Sequence, residues 1–158
     1  MSESTQNRNY LVVVDESEEL HQALLFACLR SRRTGGNISL LYVIAPAEFA
    51  HWAGVGELMR EEARAEAEDK LRVHSEYVQQ LTGRMPEIHI REGDTADQVI
   101  DMINEQESIA LLVLGADTHS DSAGPIVNYL TGRGASRCRV PITIVPGNLT
   151  DAQIEKLT

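Results

Sequence analysis

The sequence has few basic residues and no long apolar run. Its 158 residues include 14 Lys and Arg against 24 Asp and Glu, which gives a formal net charge of −10. Sequence-independent binding to phosphate backbones needs clustered Lys and Arg. We therefore predict that neither nucleic acid nor an anionic membrane surface is a partner. No run approaches the ~18 apolar residues of a membrane span, and the N-terminus lacks the apolar region of a secretory signal.

Cysteine is also scarce. Cys28 and Cys138 are far apart and belong to no CxxC or Cys/His ligand spacing. This pattern indicates neither a zinc site nor a disulfide framework. A reduced, cytoplasmic location fits the sequence best, and we expect no metal.

Five short β-rich segments alternate with helical segments. Most are nearly continuous apolar runs, typical of strands covered on both faces, whereas the third alternates and is predicted nearer an edge. The last begins with proline, which a strand tolerates at its first position. The five segments are Tyr10–Asp15, Ile38–Ile44, Pro86–Arg91, Ile109–Gly115 and Pro141–Val145.

The connecting segments carry helix signals. Ser17 is the predicted N-cap of the first helix, and Thr95 to Gln98 is a predicted capping box for the third. The second runs from about Glu57 to Thr82, and its charge-dense first half is most simply a solvated face. The fourth segment, Asp117 to Arg139, contains three glycines and has the weakest helix signal.

This alternation predicts one α/β domain with an open parallel sheet and helices on both faces. We expect the domain to span residues 10–147, between a disordered N-terminal tail (1–9) and a C-terminal tail (148–158). Ligands of such folds bind at the carboxyl ends of the strands. Asp15 ends the first strand there, and its carboxylate either binds a ligand or accepts bonds from the following turn. The spacing leaves both roles open.

The order of short motifs resembles the universal stress protein family, within the adenine nucleotide alpha hydrolase-like superfamily. Val14, Asp15 and Ser17 match its Val-Asp-x-Ser element, and Gly93-Asp94 matches its Gly-Asp pair. The stretches LLYV, LLVLG and VPITIVPG match three further elements. The resemblance covers nearly the whole chain and implies a Rossmann-like five-stranded sheet in the order 3-2-1-4-5. It also implies a dimer.

Nucleotide-binding members of that family carry Gly-x2-Gly-x9-Gly-Ser/Thr after strand four. Gly115 matches the first glycine, but Thr118 and Asn128-Tyr129 stand at the other positions. Asp117 and Asp121 lie in the loop that would have to face a triphosphate, where repulsion between like charges would weaken binding. We therefore predict a degenerate ATP-binding motif.

An adenosine group could still be held without that phosphate loop. In nucleotide-binding relatives, the positions of Asp15 and Val43 contact adenine and ribose. Arg133, within Gly132 to Ser136, is a candidate counter-charge for phosphate in an anion nest. The candidate ligand-binding residues are Val13, Val14, Asp15, Val43, Leu114, Gly115, Thr118, Asn128 and Arg133.

Three functions are compatible with these residues. The first is a dimeric, cytoplasmic stress-response or regulatory protein with no required cofactor, paired through the Pro141–Val145 edge strand, whose apolar residues need covering. The second is an AMP or ATP sensor that uses the Asp15, Val43 and Gly115 crevice. The third is a slow nucleotide hydrolase, for which Asp117, His119 or Asp121 would be the base. Nothing else in the sequence indicates an enzyme mechanism, and these three residues fit a solvated loop better than a metal site.

Overall fold

The computed structural model describes residues 8–46 and 56–158. Five parallel strands form one sheet in the order β3-β2-β1-β4-β5, which confirms the predicted topology. The strands are β1 (Asn9–Val13), β2 (Asn37–Ile44), β3 (Glu87–Glu92), β4 (Ile109–Ala116) and β5 (Ile142–Pro146).

Helices cover both faces of the sheet. They are α1 (Leu20–Thr34), α2 (Gly56–Thr82), α3 (Thr95–Glu105), α4 (Pro125–Thr131) and α5 (Asp151–Leu157), with a 3₁₀ turn at Ala135–Arg137. Alternate residues of β1 serve the two layers because successive side chains of a strand point to opposite faces. Val12 packs in the cluster with α1, α2 and α5, whereas Leu11 packs in the cluster with α3 and α4.

The strand positions explain the sequence patterns. Every residue of β1, at the centre of the sheet, is buried, whereas none of the residues of β3 is. A strand covered on both faces must be apolar throughout, while an edge strand tolerates charge. The alternating third segment is therefore an edge strand, as predicted.

Two helix starts differ from the prediction. Helix α1 begins at Leu20 after Glu19, whose side chain makes no capping bond. Ser17 instead belongs to the preceding turn, where its backbone N–H and its hydroxyl both donate to Asp15. At α3 the N-cap is Asp94, one residue before the predicted capping box. The Asp94 carboxylate accepts from the backbone N–H of Asp97 at 3.1 Å. At both helix starts, an aspartate side chain accepts a hydrogen bond from a backbone N–H group, which differs from the predicted arrangement.

Residues 148–158, predicted as a C-terminal tail beyond the domain, contain a helix that packs on the core. Thr150 and Gln153 form a capping box that begins α5, and Ile154 is fully buried in the cluster with α1. The sequence carries this signal as Thr-x-x-Gln before an apolar residue. At the other end, Asn9 already belongs to β1, while residues 1–7 of the predicted N-terminal tail lie outside the described residues.

The segment from Asp117 to Arg139 forms a short helix and a 3₁₀ turn instead of one long helix. Its end is anchored to α3, because Arg137 donates to Asp97 at 3.0 Å and Arg139 donates to the carbonyl oxygen of Ile103 at 2.6 Å. Arg139 thereby satisfies a carbonyl at the C-terminus of α3. In residues 8–46 and 56–158, no helix is long and apolar enough to cross a bilayer.

Candidate functional site

The main candidate site is a cleft of about 550 Å³ at the carboxyl ends of β1 and β2. Its strand side contains Val13, Val14, Asp15 and Val43, four of the predicted ligand-binding residues. The other wall is the first half of α2. The parallel topology places these positions together because strands ending at one edge of the sheet present their following residues to the same space.

A second, much smaller cavity of about 70 Å³ lies between the ends of β1 and β4 and the start of α4. Val13 and Asp15 line this cavity as well, together with the predicted residues Leu114 and Gly115. Six of the nine predicted residues therefore meet at one edge of the sheet. Thr118, Asn128 and Arg133 line neither cavity.

Asp15 has the geometry of a turn residue that also faces the cleft. Its Oδ1 accepts from the backbone N–H of Ser17 at 2.9 Å and from the Ser17 hydroxyl. Its Oδ2 accepts no hydrogen bond from the part of the chain that the structure describes, and the side chain is exposed. The turn role and a ligand role are therefore compatible, because they use different oxygens.

Gly115 has a packing role that does not depend on a ligand. A Cβ at this position would lie 2.5 Å from the carbonyl oxygen of Glu19, at the start of α1. Only glycine allows β4 and the residue before α1 to approach this closely. The glycine that matched the first position of the nucleotide motif is thus required by the fold itself.

The loop after β4 is held closed by its own side chains. Asp117 Oδ1 accepts from the His119 backbone N–H at 2.8 Å, and Oδ2 accepts from the Ser120 hydroxyl at 3.0 Å. These two bonds lower the pKa of Asp117 below its ordinary value. Asn128, at a glycine position of the motif, donates to the Ser122 hydroxyl at 2.6 Å. The polar groups of this loop are therefore engaged with one another.

Tyr129 and Gly134 belong together structurally. The Tyr129 hydroxyl accepts from Arg137 at 2.6 Å, and a Cβ on Gly134 would lie 2.4 Å from the Tyr129 ring. Gly134 is therefore glycine because the ring lies against it. Arg133, the candidate phosphate contact, is exposed and has no hydrogen bond or ion pair within the described part of the chain.

Asp117, His119 and Asp121 do not form a metal site. Within residues 8–46 and 56–158, no group of three or more His, Cys, Asp or Glu side chains is arranged to hold a metal ion. His119 instead lies 3.8 Å from Glu18, and both side chains are well exposed.

The α2 wall of the cleft contains residues that were not among the predicted ligand-binding residues. Their spacing of three, four, seven and eleven positions from the first defines one helical face. These residues are Met59, Glu62, Ala63, Glu66 and Lys70. The charge-dense half of α2 was predicted to be a solvated face only. Met59 and Ala63, apolar residues at this spacing inside a charged run, were the signal for an inward-facing stripe.

Lys70 connects the two walls. Its ammonium group donates to the Glu16 carboxylate and, at 3.3 Å, to the Tyr42 hydroxyl. It also lies 5.4 Å from the centre of the Tyr42 ring, within the range of a cation–π contact. The bond to Glu16 raises the pKa of Lys70, and Lys70 lowers the pKa of Glu16. Both groups are therefore charged over the whole neutral range.

The chain belongs to the universal stress protein family, whose family model matches residues 6–146. Its fold is similar to that of the universal stress protein UspA from Lactobacillus plantarum, at 22% identity and a TM-score of 0.72, covering 89% of this chain and 98% of that one. No match was found among curated protein sequences.

Two further similar structures are nucleotide complexes. One is a universal stress protein in complex with cAMP, at 14% identity and a TM-score of 0.61, covering 89% of this chain and 98% of that one. The other is the universal stress protein from Archaeoglobus fulgidus in complex with dAMP, at 16% identity and a TM-score of 0.60, covering 87% and 97%. At these identities the similarity establishes the shared fold.

Proposed function

We propose that this universal stress protein is a cytoplasmic regulatory protein that binds a small adenine-containing ligand in the cleft between β1, β2 and α2. The observation that carries the proposal is the position of Val13, Val14, Asp15 and Val43 around one cleft of about 550 Å³. Ligand-binding clefts typically measure about 300 to 1,000 Å³. The cAMP and dAMP complexes of two proteins with this fold support adenine as the ligand class.

The strand side offers the contacts that an adenosine group needs. Val13 and Val43 are buried apolar residues at the bottom of the cleft, suited to the face of a base. Asp15 Oδ2 is available to accept from ribose hydroxyls or from the adenine amine. A carboxylate accepting such bonds adds orientation as well as affinity.

The β4 side gives little support for ATP binding. The free space there is about 70 Å³, and Asp117, Ser120, Ser122 and Asn128 hydrogen-bond within the loop. A phosphate cradle needs unoccupied backbone N–H groups and small residues that permit close approach. We therefore propose that the nucleotide motif is degenerate and that the ligand is held mainly by its adenosine part.

The proposal is tested by mass spectrometry of what co-purifies with the protein, followed by calorimetric titration with adenosine, AMP, cAMP and ATP. Asp15→Asn keeps an acceptor for the turn but removes the charge. We expect it to weaken adenosine binding about tenfold, since a hydrogen bond to a charged group contributes ~1.5 to 3 kcal/mol. Glu18→Gln, on the same loop but outside the cleft, is the matched control and should change nothing. Absence of adenosine binding at millimolar concentration would refute the proposal.

We also propose that two copies pair through β5. This strand is at the edge of the sheet, and Ile144 is 38% exposed on it. An unpaired edge with an exposed branched apolar residue is prone to association unless it is covered. Light scattering should give a dimer mass at micromolar concentration, and Ile144→Lys should give a monomer. A monomeric wild-type protein under these conditions would contradict this pairing.

The hydrolase alternative has no specific observation in its favour. Asp117, His119 and Asp121 line neither of the two cavities, and both oxygens of Asp117 accept bonds from the loop. A general base must be within hydrogen-bond reach of the attacking water beside the substrate.

A further inference from the structure

The α2 wall of the cleft has carboxylates without partners. Glu62 and Glu66 both line the cleft, and neither has a hydrogen bond or ion pair with any residue in 8–46 or 56–158. By contrast, Glu68 on the outer side of the same helix is paired with Arg64 at 3.8 Å. Glu62 and Glu66 are distinguished by their position on the face of α2 that lines the cleft, where no described residue offsets their charge.

The basic side chain of the cleft does not balance them. Lys70 is the one basic residue among the described residues that line the cleft, and its ammonium group is bonded to Glu16. The Lys70 and Glu16 charges cancel, so Asp15, Glu62 and Glu66 remain as uncompensated negative charge around the same space. Glu62 and Glu66 are exposed side chains, so their repulsion of a polyanion is screened by solvent and is largest at low ionic strength.

We infer that Glu62 and Glu66 are specificity-determining residues that make the cleft select adenine ligands of low negative charge and reject polyanionic ones such as ATP. The inference rests on the proposed adenine site and names the ligand class that it takes. The β4 loop fails to stabilise a triphosphate, whereas the α2 wall acts directly against it. Adenosine, which carries no charge, is unaffected by the wall.

The experiment compares ATP with adenosine, both without divalent cations, in calorimetric titrations of the full chain. In Glu62→Gln/Glu66→Gln, the affinity for ATP relative to adenosine should rise about tenfold at low salt, since two charges facing a polyanion are removed. The matched control is Glu61→Gln/Glu76→Gln, which removes the same charge from exposed positions of α2 outside the cleft. This control should leave the ratio unchanged.

Salt gives a second readout. The difference between the cleft variant and the wild type should shrink as ionic strength rises to about 0.5 M, because the Debye length falls to a few ångströms. An unchanged ratio in the cleft variant, or an equal rise in the control, would overturn the inference while adenosine binding still upheld the proposed function. A wild-type protein that binds no adenosine would overturn the proposed function itself, and with it this selectivity.

Discussion

The β1–β2 side and the β4 side of the sheet edge differ sharply in the space that they leave. The carboxyl ends of β1 and β2 open on about 550 Å³, whereas between β1 and β4 only about 70 Å³ is free. On the β4 side, the start of α1 lies against Gly115 and the following loop bonds to itself. On the β1–β2 side, the first half of α2 lines the cleft with both apolar and charged residues.

This difference shows that a glycine at a motif position does not by itself indicate a phosphate site. Gly115 leaves room for the Glu19 carbonyl group, and Gly134 leaves room for the Tyr129 ring. In both places a protein group fills the space that a missing side chain leaves. The open β1–β2 side, in contrast, is lined by residues of β1, β2 and α2 that carry full side chains.

The largest expected effect is on the stability of the β4 side, which is closed by protein groups. Gly115→Ala should lower the free energy of unfolding by about 3 kcal/mol, because the added methyl group meets backbone that cannot move aside. Chemical denaturation measures this. Gly83→Ala is the matched control, since its φ of 76° is strained for alanine but nothing lies within 4 Å; it should cost only about 1 to 2 kcal/mol. Equal costs would show that β4 and α1 are not in tight contact.

The next effect is on the open side. Ala63 lines the cleft from α2, so Ala63→Trp should fill it and weaken adenosine binding about tenfold or more, since close-packed space admits only one occupant. Ala65→Trp places the same side chain at an exposed position of α2 and should leave the affinity unchanged. Titration of both variants checks the prediction, and unaltered binding by Ala63→Trp would mean that ligand is held elsewhere.

The smallest effect concerns the motif residues that line neither cavity. Asn128→Ala should change adenosine affinity by less than about twofold, because effects of residues without shared contacts are close to independent. Its hydrogen bond to Ser122 is exposed, so stability should also change little. A tenfold loss of affinity would place the ligand against α4 and would remove the distinction between the open and closed sides.

Most of the fold could be predicted from the sequence because it follows from local patterns. Apolar runs alternating with capped helices predicted the five strands, and the family resemblance implied their order. The errors concerned local hydrogen bonds at helix starts. Asp94 instead of Thr95 is the N-cap of α3, and Asp15 accepts the hydrogen bond from the Ser17 backbone N–H. The C-terminal helix was not predicted, although the sequence contains its Thr150–Gln153 capping box.

The site was only half predictable. Asp15 and Val43 follow from strand ends, since parallel strands deliver those positions to one edge. The charged run of α2 that contains Glu62, Glu66 and Lys70 was predicted to face solvent. The sequence does not show which other element lies opposite a charged helical face. The Lys70 bond to Glu16 joins positions 54 residues apart, which no local pattern reveals.

The sequence by itself determined the α/β class and the acidic character of the chain, because hydrophobic periodicity and charge are properties of local residues. The strand order was implied by the family resemblance. The tertiary structure alone decided which of those charges face a cleft and which face water. It also decided that Gly115 serves helix packing, and that the space beside β1 and β2 stays open. These outcomes depend on distances between elements far apart in the chain, and packing sets those distances.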